Sequence, residues 1–434
     1  MNGRLGKLTD ALAANLWLIP LLAFVLAFAL SRGLLAFDQT LDVSTKAWFL
    51  YGGSPQGARQ LLATIAGSMI TFIGLVFSST ILVLQLASSQ FSPRVMRSFF
   101  RDRIIQTALG TFIATFAFAI FVLRELRESA AAPFVPGLST YVAISLVWLS
   151  LAMFVVYINH IAERIRAVTV IGVAARETAT TLARSQRNRP PLAAFVPPSQ
   201  EPEIVRARRH GSVAGIDAGA LVRFGAVIDA RFEVIPLAGD FVRTGSPVVR
   251  AWCSRALSPG EIERAGRAIS IERERSMRAD PLFGFRQLVD IANKALSPGI
   301  NDPTTAVLVL DQLAELLRAV AADEPRSDVY PDDRGVVRVF VPRPTWSAFV
   351  DASLEEILHY GRGSLHVMRK VRTLVVDLEE AVAPGYRPVL ERYRLRVETS
   401  IDDAFTRPED RAAARRLPPA TGRDGSRAAA NVQR

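Results

Sequence analysis

The sequence predicts a membrane α-helical fold: four transmembrane helices, then a cytoplasmic α+β domain in which a small β barrel-sandwich-like module precedes a helical bundle. Three observations predict it. Four long stretches without a charged residue fall within the first 162 positions. Behind them the texture turns to short β-type runs punctuated by glycine. From Ser258 onward, apolar residues recur at helical spacing.

The charge-free stretches cover residues 11–31, 60–93, 104–123 and 129–162. A helix needs roughly 20 apolar residues to cross a bilayer, and lipid offers no partner for an open backbone hydrogen bond, so such stretches are forced to be helices. The expected spans are about 12–31, 61–87, 104–123 and 138–161, in a membrane domain of residues 1–162. Arg4 and Lys7 precede the first run, and no small-x-small cleavage site follows it, so it reads as an anchor rather than a cleaved signal.

Orientation follows from arginine. The net charge is +11, and Lys7, Lys46, Lys294 and Lys370 are the only lysines. Arg4, Lys7, Arg94, Arg97, Arg101 and Arg103 fall on one side of the spans, joined by Arg164, Arg166, Arg176, Arg184, Arg187 and Arg189 after the fourth. By the positive-inside rule that side is the cytoplasm, which puts both termini and the soluble region there, in a bacterial inner membrane. Arginines flanking spans meet anionic headgroups, so the lipid bilayer is the expected partner. No finger, RNP or helix-turn-helix signature suggests nucleic acid. Cys253 is the sole cysteine, which excludes an intramolecular disulfide and a thiolate metal cluster. His160, His210, His359 and His366 are too scattered to indicate a metal by spacing, and no cofactor is expected.

The second span carries a pattern. Thr64, Thr71, Ser78 and Gln85 recur every seven residues, with Gly67, Ser68 and Gly74 on the same face. At about 3.6 residues per turn this makes one stripe of small and hydroxyl-bearing side chains. Such a stripe suits close helix packing, where small residues let backbones approach. It also suits the wetted lining of a pore built by several subunits. Arg94, Arg97 and Arg101 would form a basic mouth favouring anions.

Residues 163–203 read as a helical extension of the fourth span and a Pro-rich linker, NRPPLAAFVPPSQEPE. The small β module is expected over 204–255, from the runs GSVAGID, ARFEVIP, GDFVRTG and SPVVRAW. GDFVRTGSPVV (239–249) resembles the turn of lipoyl and biotinyl carriers, but those need a lysine at a hairpin tip, and this segment has none. A mainly helical domain follows over 256–404, opening at Ser258, whose Pro259 and Glu261 predict a capping box and a charge-dense helix. GVVRVFVP (335–342) reads as a strand, and helices are expected at about 347–360, 364–381 and 386–402. The tail, 405–434, reads as disordered.

The most distinctive string is DPLFGFRQLVDIANKALSPGINDPTTAVLVLDQL (280–313). Phe285, Leu288, Val289, Ala292 and Leu296 share one helix face. Ser297, Pro298, Gly299 and Asn301 interrupt it. Asp302 then suits an N-cap and Pro303 a first helical residue, with Ala306, Val307, Leu310, Leu313 and Leu317 as the next buried stripe. The same atoms admit a binding reading: amides at the helix start with Lys294, Thr304 and Thr305 around an anion, or Asp290, Asp302 and Asp311 around a cation. Capping explains each residue more simply.

ALSPGINDPTTA (295–306), the preceding FGFRQLVDIANKA, and LASSQFSPRVM (86–96) resemble the bacterial family of predicted membrane proteins designated domain of unknown function 2254. The resemblance runs from the first span to roughly residue 400. It implies four spans followed by a soluble region and carries over no activity.

The chain contains no Gly-x-Ser-x-Gly elbow, Walker loop, dinucleotide fingerprint or His-Glu-x-x-His. An oligomeric transport or channel-like protein, a homo-oligomer whose soluble domain assembles or gates it, is the leading expectation. The alternatives are a membrane-anchored enzyme at the cytoplasmic face, working around Lys294, Asn301 and Asp302 in the turn that also holds Ser297, and a non-transporting scaffold or sensor.

Overall fold

The computed structural model describes residues 17–40, 54–90, 102–126, 135–164, 166–187, 195–277, 279–323 and 327–417. The chain divides into two compact units, Met1–Thr169 and Val170–Arg434.

The first unit is built from four helices long and apolar enough to cross a membrane. They are α1 (Leu18–Thr40), α2 (Pro55–Gln90), α3 (Arg103–Glu125) and α4 (Gly137–Arg164). Each overlaps a predicted span and is longer than predicted; α1 runs from Leu18 past Arg32 to Thr40, and residues 12–16 of the predicted span lie outside the described residues. α3 is the hub, packing against all three others. Of its apolar window 56% is buried, against 17–22% in the other three. Phe112, Phe118, Ala108 and Ala119 are wholly inaccessible and fill the middle of the bundle. At Gly110 a methyl group would stand 3.3 Å from the Cβ of Ala23, so the missing side chain lets α1 lie close against the hub.

Polar pairs join the spans. Thr115 of α3 and Ser150 of α4 share a hydrogen bond of 2.8 Å. Thr80 of α2 and Tyr157 of α4 share one of 2.5 Å, and the Tyr157 hydroxyl also reaches the Val76 carbonyl at 3.2 Å. Interhelical bonds of this kind contribute about 0.6–2 kcal/mol each in a bilayer.

Both ends of the bundle are tied by carboxylates. At one end Asp38 caps the start of α4, accepting from the amides of Leu138 and Ser139, both at 3.0 Å. Arg32 pairs with Glu125 at 3.0 Å at the same end. At the other end Asp102 caps α3 through the Ile104 amide and meets His160 Nε2 at 2.6 Å. These contacts fix the alternating direction of the spans.

The second unit is mixed α/β. It begins with α5 (Ala167–Arg187), which is a separate element from α4. Where the sequence suggests an arginine-studded extension, α5 instead buries Ile171, Ala174, Ala175, Thr178 and Leu182. Thr178 lies over Gly284, where a Cβ would come within 2.1 Å of its hydroxyl, so only glycine permits the crossing.

The sheets follow: β1 (Glu203–Arg206), β2 (Gly211–Ile216), α6 (Ala218–Ile228), β3 (Arg231–Val234), β4 (Phe241–Val242), β5 (Pro247–Trp252), α7 (Pro259–Arg267) and β6 (Ile269–Glu272). Later come α8 (Pro281–Ala295), α9 (Pro303–Ala322), β7 (Asp328–Pro331), β8 (Val337–Val341), α10 (Trp346–Gly361), α11 (Leu365–Ala381), α12 (Arg387–Ala404) and α13 (Pro408–Arg415).

One sheet runs β1-β5-β3-β8-β7 and the other β4-β2-β6. All pairings are antiparallel except β3 with β8. Both sheets face one core that includes Val205, Val213, Phe224, Phe232, Val249, Ile271 and Val339.

The β part therefore differs from a self-contained module of 204–255. β6, β7 and β8 come from beyond it, and β8 pairs with β3 in the middle of the larger sheet. The helix opened by Ser258 stops at Arg267, and Ile269–Glu272 becomes a strand rather than more of the charge-dense helix. The capping box itself is present, with the Ser258 amide donating to Glu261 at 2.8 Å.

The helices α8–α12 match the predicted ones closely. Phe285, Leu288, Val289 and Ala292 are buried, with Ala306, Leu310, Leu313 and Leu317 opposite. Val309, not Val307, completes that stripe, and Leu296 is half-buried. Residues 408–415, expected as disordered tail, form α13, which buries Ala414 against the bundle. Arg415 holds it there through Glu398 at 2.7 Å and Asp402 at 2.8 Å. Residues 418–434 lie outside the described residues.

Candidate functional site

The stripe on α2 is the first candidate. Leu62, Ala66 and Val76 face inward and are buried, with Thr80 beside them. Thr64, Gly67, Thr71, Gly74, Ser78 and Gln85 are all exposed in a single copy. A Cβ built on Gly67 or Gly74 meets nothing within 4 Å. Among the described residues, then, these glycines serve no packing inside the chain. The hydroxyls of Thr64 and Thr71 donate back to the carbonyls of Gln60 and Gly67, at 2.8 and 3.1 Å, so the face stays compatible with an apolar surrounding. Arg94, Arg97 and Arg101 lie outside the described residues.

At one end this face opens into a groove of about 550 Å³ between α2 and α4, lined by Gly57, Gln60, Thr64, Ile65, Ile144 and Trp148 among others. Toward the other end the two helices close, with the rings of Phe72 and Phe154 4.6 Å apart and Thr80 bonded to Tyr157.

The turn at 297–305 is the second candidate. Asn301 takes a left-handed conformation, φ 48°, which asparagine tolerates better than most residues. The amides of Ile300 and Asn301 donate to the Ser297 carbonyl at 3.0 and 2.9 Å, and that of Asp302 to Ala295 at 2.8 Å. Asp302 caps α9, accepting from the Thr305 amide at 3.1 Å and its hydroxyl at 2.6 Å. Ser297 donates to the Lys294 carbonyl at 2.7 Å. Lys294 and Thr304 are exposed. The Ser297 and Thr305 hydroxyls and the Asp302 carboxylate are engaged within the turn, and the Asp302 carboxylate occupies the helix start where an anion would bind. Asp290 and Asp311 do not join it: Asp290 lies 3.7 Å from Arg286, and Asp311 pairs with Lys370.

A third cluster was not legible in the sequence. A cavity of about 80 Å³ is bordered by Asp280, Tyr330 and Arg343. Asp280 caps α8 through the Phe283 amide and pairs with Arg275 at 2.5 Å. Burial pushes its carboxyl above the usual range, against the pull of Arg275. Gly239, φ 93°, sits where a Cβ would fall 2.0 Å from the Asp280 carboxylate, so the glycine of the GDFVRTG turn makes room for this pair. Arg343 grips the fully buried Asp328 at 2.6 and 2.8 Å and reaches Ser185 at 3.1 Å, while the Tyr330 hydroxyl donates to the same Asp328 oxygen. Nearby, the buried Arg338 bridges Asp332 and Asp229 at 2.8 and 2.7 Å and holds the Asp332 carboxyl below its usual range. These cations and carboxylates pair mutually, which locks strands to helices and suits a structural role. Arg338–Asp229 and Arg343–Ser185 join residues more than a hundred apart, and the shorter-range pairs among them follow no recognisable spacing, so the cluster is not announced locally. Asp38, Asp102 and His160 share that property, although lone carboxylates at the edges of charge-free stretches are a signal for caps.

The model of a family described as "Predicted membrane protein (DUF2254)" matches residues 13–377. Two uncharacterized mycobacterial proteins, MT1328 of Mycobacterium tuberculosis strain CDC 1551 and Mb1321c of Mycobacterium bovis, are each 28% identical over 432 residues, covering 95% of this chain and 81% of theirs. No solved structure matches.

Proposed function

The chain belongs to the DUF2254 family of predicted membrane proteins, and we propose that it works as one protomer of a homo-oligomeric, channel-like assembly, with the outward face of α2 turned toward the shared axis. The observation that carries this reading is the exposure of Thr64, Gly67, Thr71, Gly74, Ser78 and Gln85 in a single copy. A face of glycines and hydroxyls offers lipid little side chain to pack against, although Thr64 and Thr71 tolerate an apolar surrounding by bonding back to their own helix. It suits close approach of a second helix or contact with water. The hub position of α3 supports the same reading, because among the described residues Phe112 and Phe118 fill the protomer's own centre.

In this reading the assembly sits in the bacterial inner membrane, with the arginine-rich side, the termini and the soluble unit in the cytoplasm. Arg94, Arg97 and Arg101 bias the mouth toward anions. The two sheets, which share one core, form a barrel-sandwich-like body that assembles or gates the membrane part. The enzyme alternative has less support, since the Ser297 and Thr305 hydroxyls and the Asp302 carboxylate are engaged within the turn.

The test is reconstitution. Proteoliposomes are expected to pass small anions faster than cations, and Thr71→Leu with Ser78→Leu is expected to abolish that flux while leaving insertion intact. A strictly monomeric protein that passes no ion at any applied potential or tension overturns the proposal.

A further inference from the structure

The outward groove between α2 and α4 has a shape that the channel reading does not use. The two helices touch through Phe72 and Phe154 and through Thr80 and Tyr157, then splay apart toward the Asp38 end. On α2 the opening runs from Gly57 to Ile65, about 12 Å at ~1.5 Å per residue. That is close to the depth of one leaflet, about half of a ~30 Å hydrocarbon core. Ile65, Ile144 and Trp148 make its walls apolar, and among the described residues no charged side chain lines it, Gln60 being its most polar.

We infer that this groove is a binding site for one phospholipid tail, held by the splayed ends of α2 and α4. A lipid tail is one leaflet long and ends where the groove ends. A transmembrane helix from a second copy has to continue past the Phe72–Phe154 contact, where the groove is shut. The groove is also continuous with an apolar surface of α4, marked by the exposed Leu149, Leu151 and Val155. A volume of about 550 Å³ lies within the size range of small-ligand sites. Gly57 and Thr64 keep the cleft open, where larger residues would close it. The inference does not depend on assembly or conduction.

Trp148, 67% exposed on the groove wall, gives the readout. The full chain in detergent is titrated with a phospholipid brominated on one tail, and the signal is the quenching lost in Trp148→Phe. The expected result is saturable quenching at one lipid per chain, weakened at least ten-fold by either Gly57→Leu or Thr64→Phe and unchanged by Val155→Phe on the open surface. Quenching that never saturates, or that ignores both groove-filling changes, overturns the site in favour of bulk lipid. Absence of quenching, together with cross-linking between copies through Trp148→Cys, overturns it in favour of a second protein chain.

Discussion

Asp38 and Ser139, 101 residues apart in the chain, meet in a buried cap. The carboxylate accepts from the Ser139 amide at 3.0 Å and from its hydroxyl at 2.5 Å, and Asp38 is only 9% exposed. This cap joins the end of α1 to the start of α4 around the hub α3. Asp38→Ala is expected to lower the stability of the detergent-solubilised protein by about 1–2 kcal/mol, the usual cost of a lost N-cap. Asp38→Asn is expected to lose part of that stability, because both carboxylate oxygens accept here and an amide offers only one acceptor. Equal thermal midpoints for wild type and Asp38→Ala would show that the contact contributes nothing.

At the 297–305 turn the backbone of Asn301, φ 48°, predicts opposite effects for two substitutions. Asn301→Gly is expected to be neutral within a few tenths of a kcal/mol, since glycine adopts this conformation freely. Asn301→Val is expected to cost more than about 1 kcal/mol, as β-branched residues resist it. Thermal unfolding of the full chain reads both. A large loss in Asn301→Gly would point to a role for the amide side chain beyond the turn.

The crossing of α5 over α8 depends on Gly284, where a methyl group would stand 2.1 Å from Thr178 Oγ1 and 2.7 Å from its methyl carbon. Gly284→Ala is expected to destabilise the second unit by about 1–3 kcal/mol, in the range of overpacked cores. Thr178→Ala in the same chain should recover part of the loss by removing both atoms. Limited proteolysis within α5, followed against temperature, checks this. Additive effects of the two changes would contradict the packing described.

Glu261 supplies a pH dependence. Its hydrogen bond to Arg255, helped by the Ser258 amide and hydroxyl, lowers its pKa to about 2. A carboxyl depressed in the folded state contributes its stability above the unfolded value, about 4.3, and loses it as pH falls through the folded value. The start of α7 is therefore expected to loosen between about pH 4.5 and 2. Hydrogen exchange over residues 259–267, corrected for the intrinsic rate, should show that window in wild type and not in Glu261→Gln. An unchanged profile in the variant would remove Glu261 as the cause.

Much of the architecture is local enough to be read from residue order. The charge-free runs locate all four spans, because lipid leaves no alternative to a helix. Ser258-Pro259 with Glu261, and Asp302-Pro303, announce their caps in three or four letters. What escapes is what depends on distant partners. The run 218–228, with Gly219 and Gly225 inside it, does not look helical until Asp217 caps it and Phe224 stacks on Phe232 at 5.7 Å. β6 hides in a charge-dense run because its strand character comes from pairing with β2. Arg338 and Arg343 look like two more surface arginines until Asp229, Asp332 and Asp328 close around them. At the candidate site the stripe on α2 was legible as a stripe. Its direction, outward from its own bundle, was not, since that depends on how α3 is packed.

Cysteine scanning along α2 tests the central claim, that this outward face meets another copy. In a Cys253→Ser background, single cysteines are placed at 67, 71, 74 and 78 and, as a contrast, at the buried positions 62, 66 and 76. After oxidation in native membranes the account predicts disulfide-linked dimers at Gly67→Cys, Thr71→Cys, Gly74→Cys and Ser78→Cys, and none at Leu62→Cys, Ala66→Cys or Val76→Cys. Failure of all four outward positions to cross-link, while each reacts freely with a lipid-soluble maleimide, would mean that the face meets lipid alone and would contradict it.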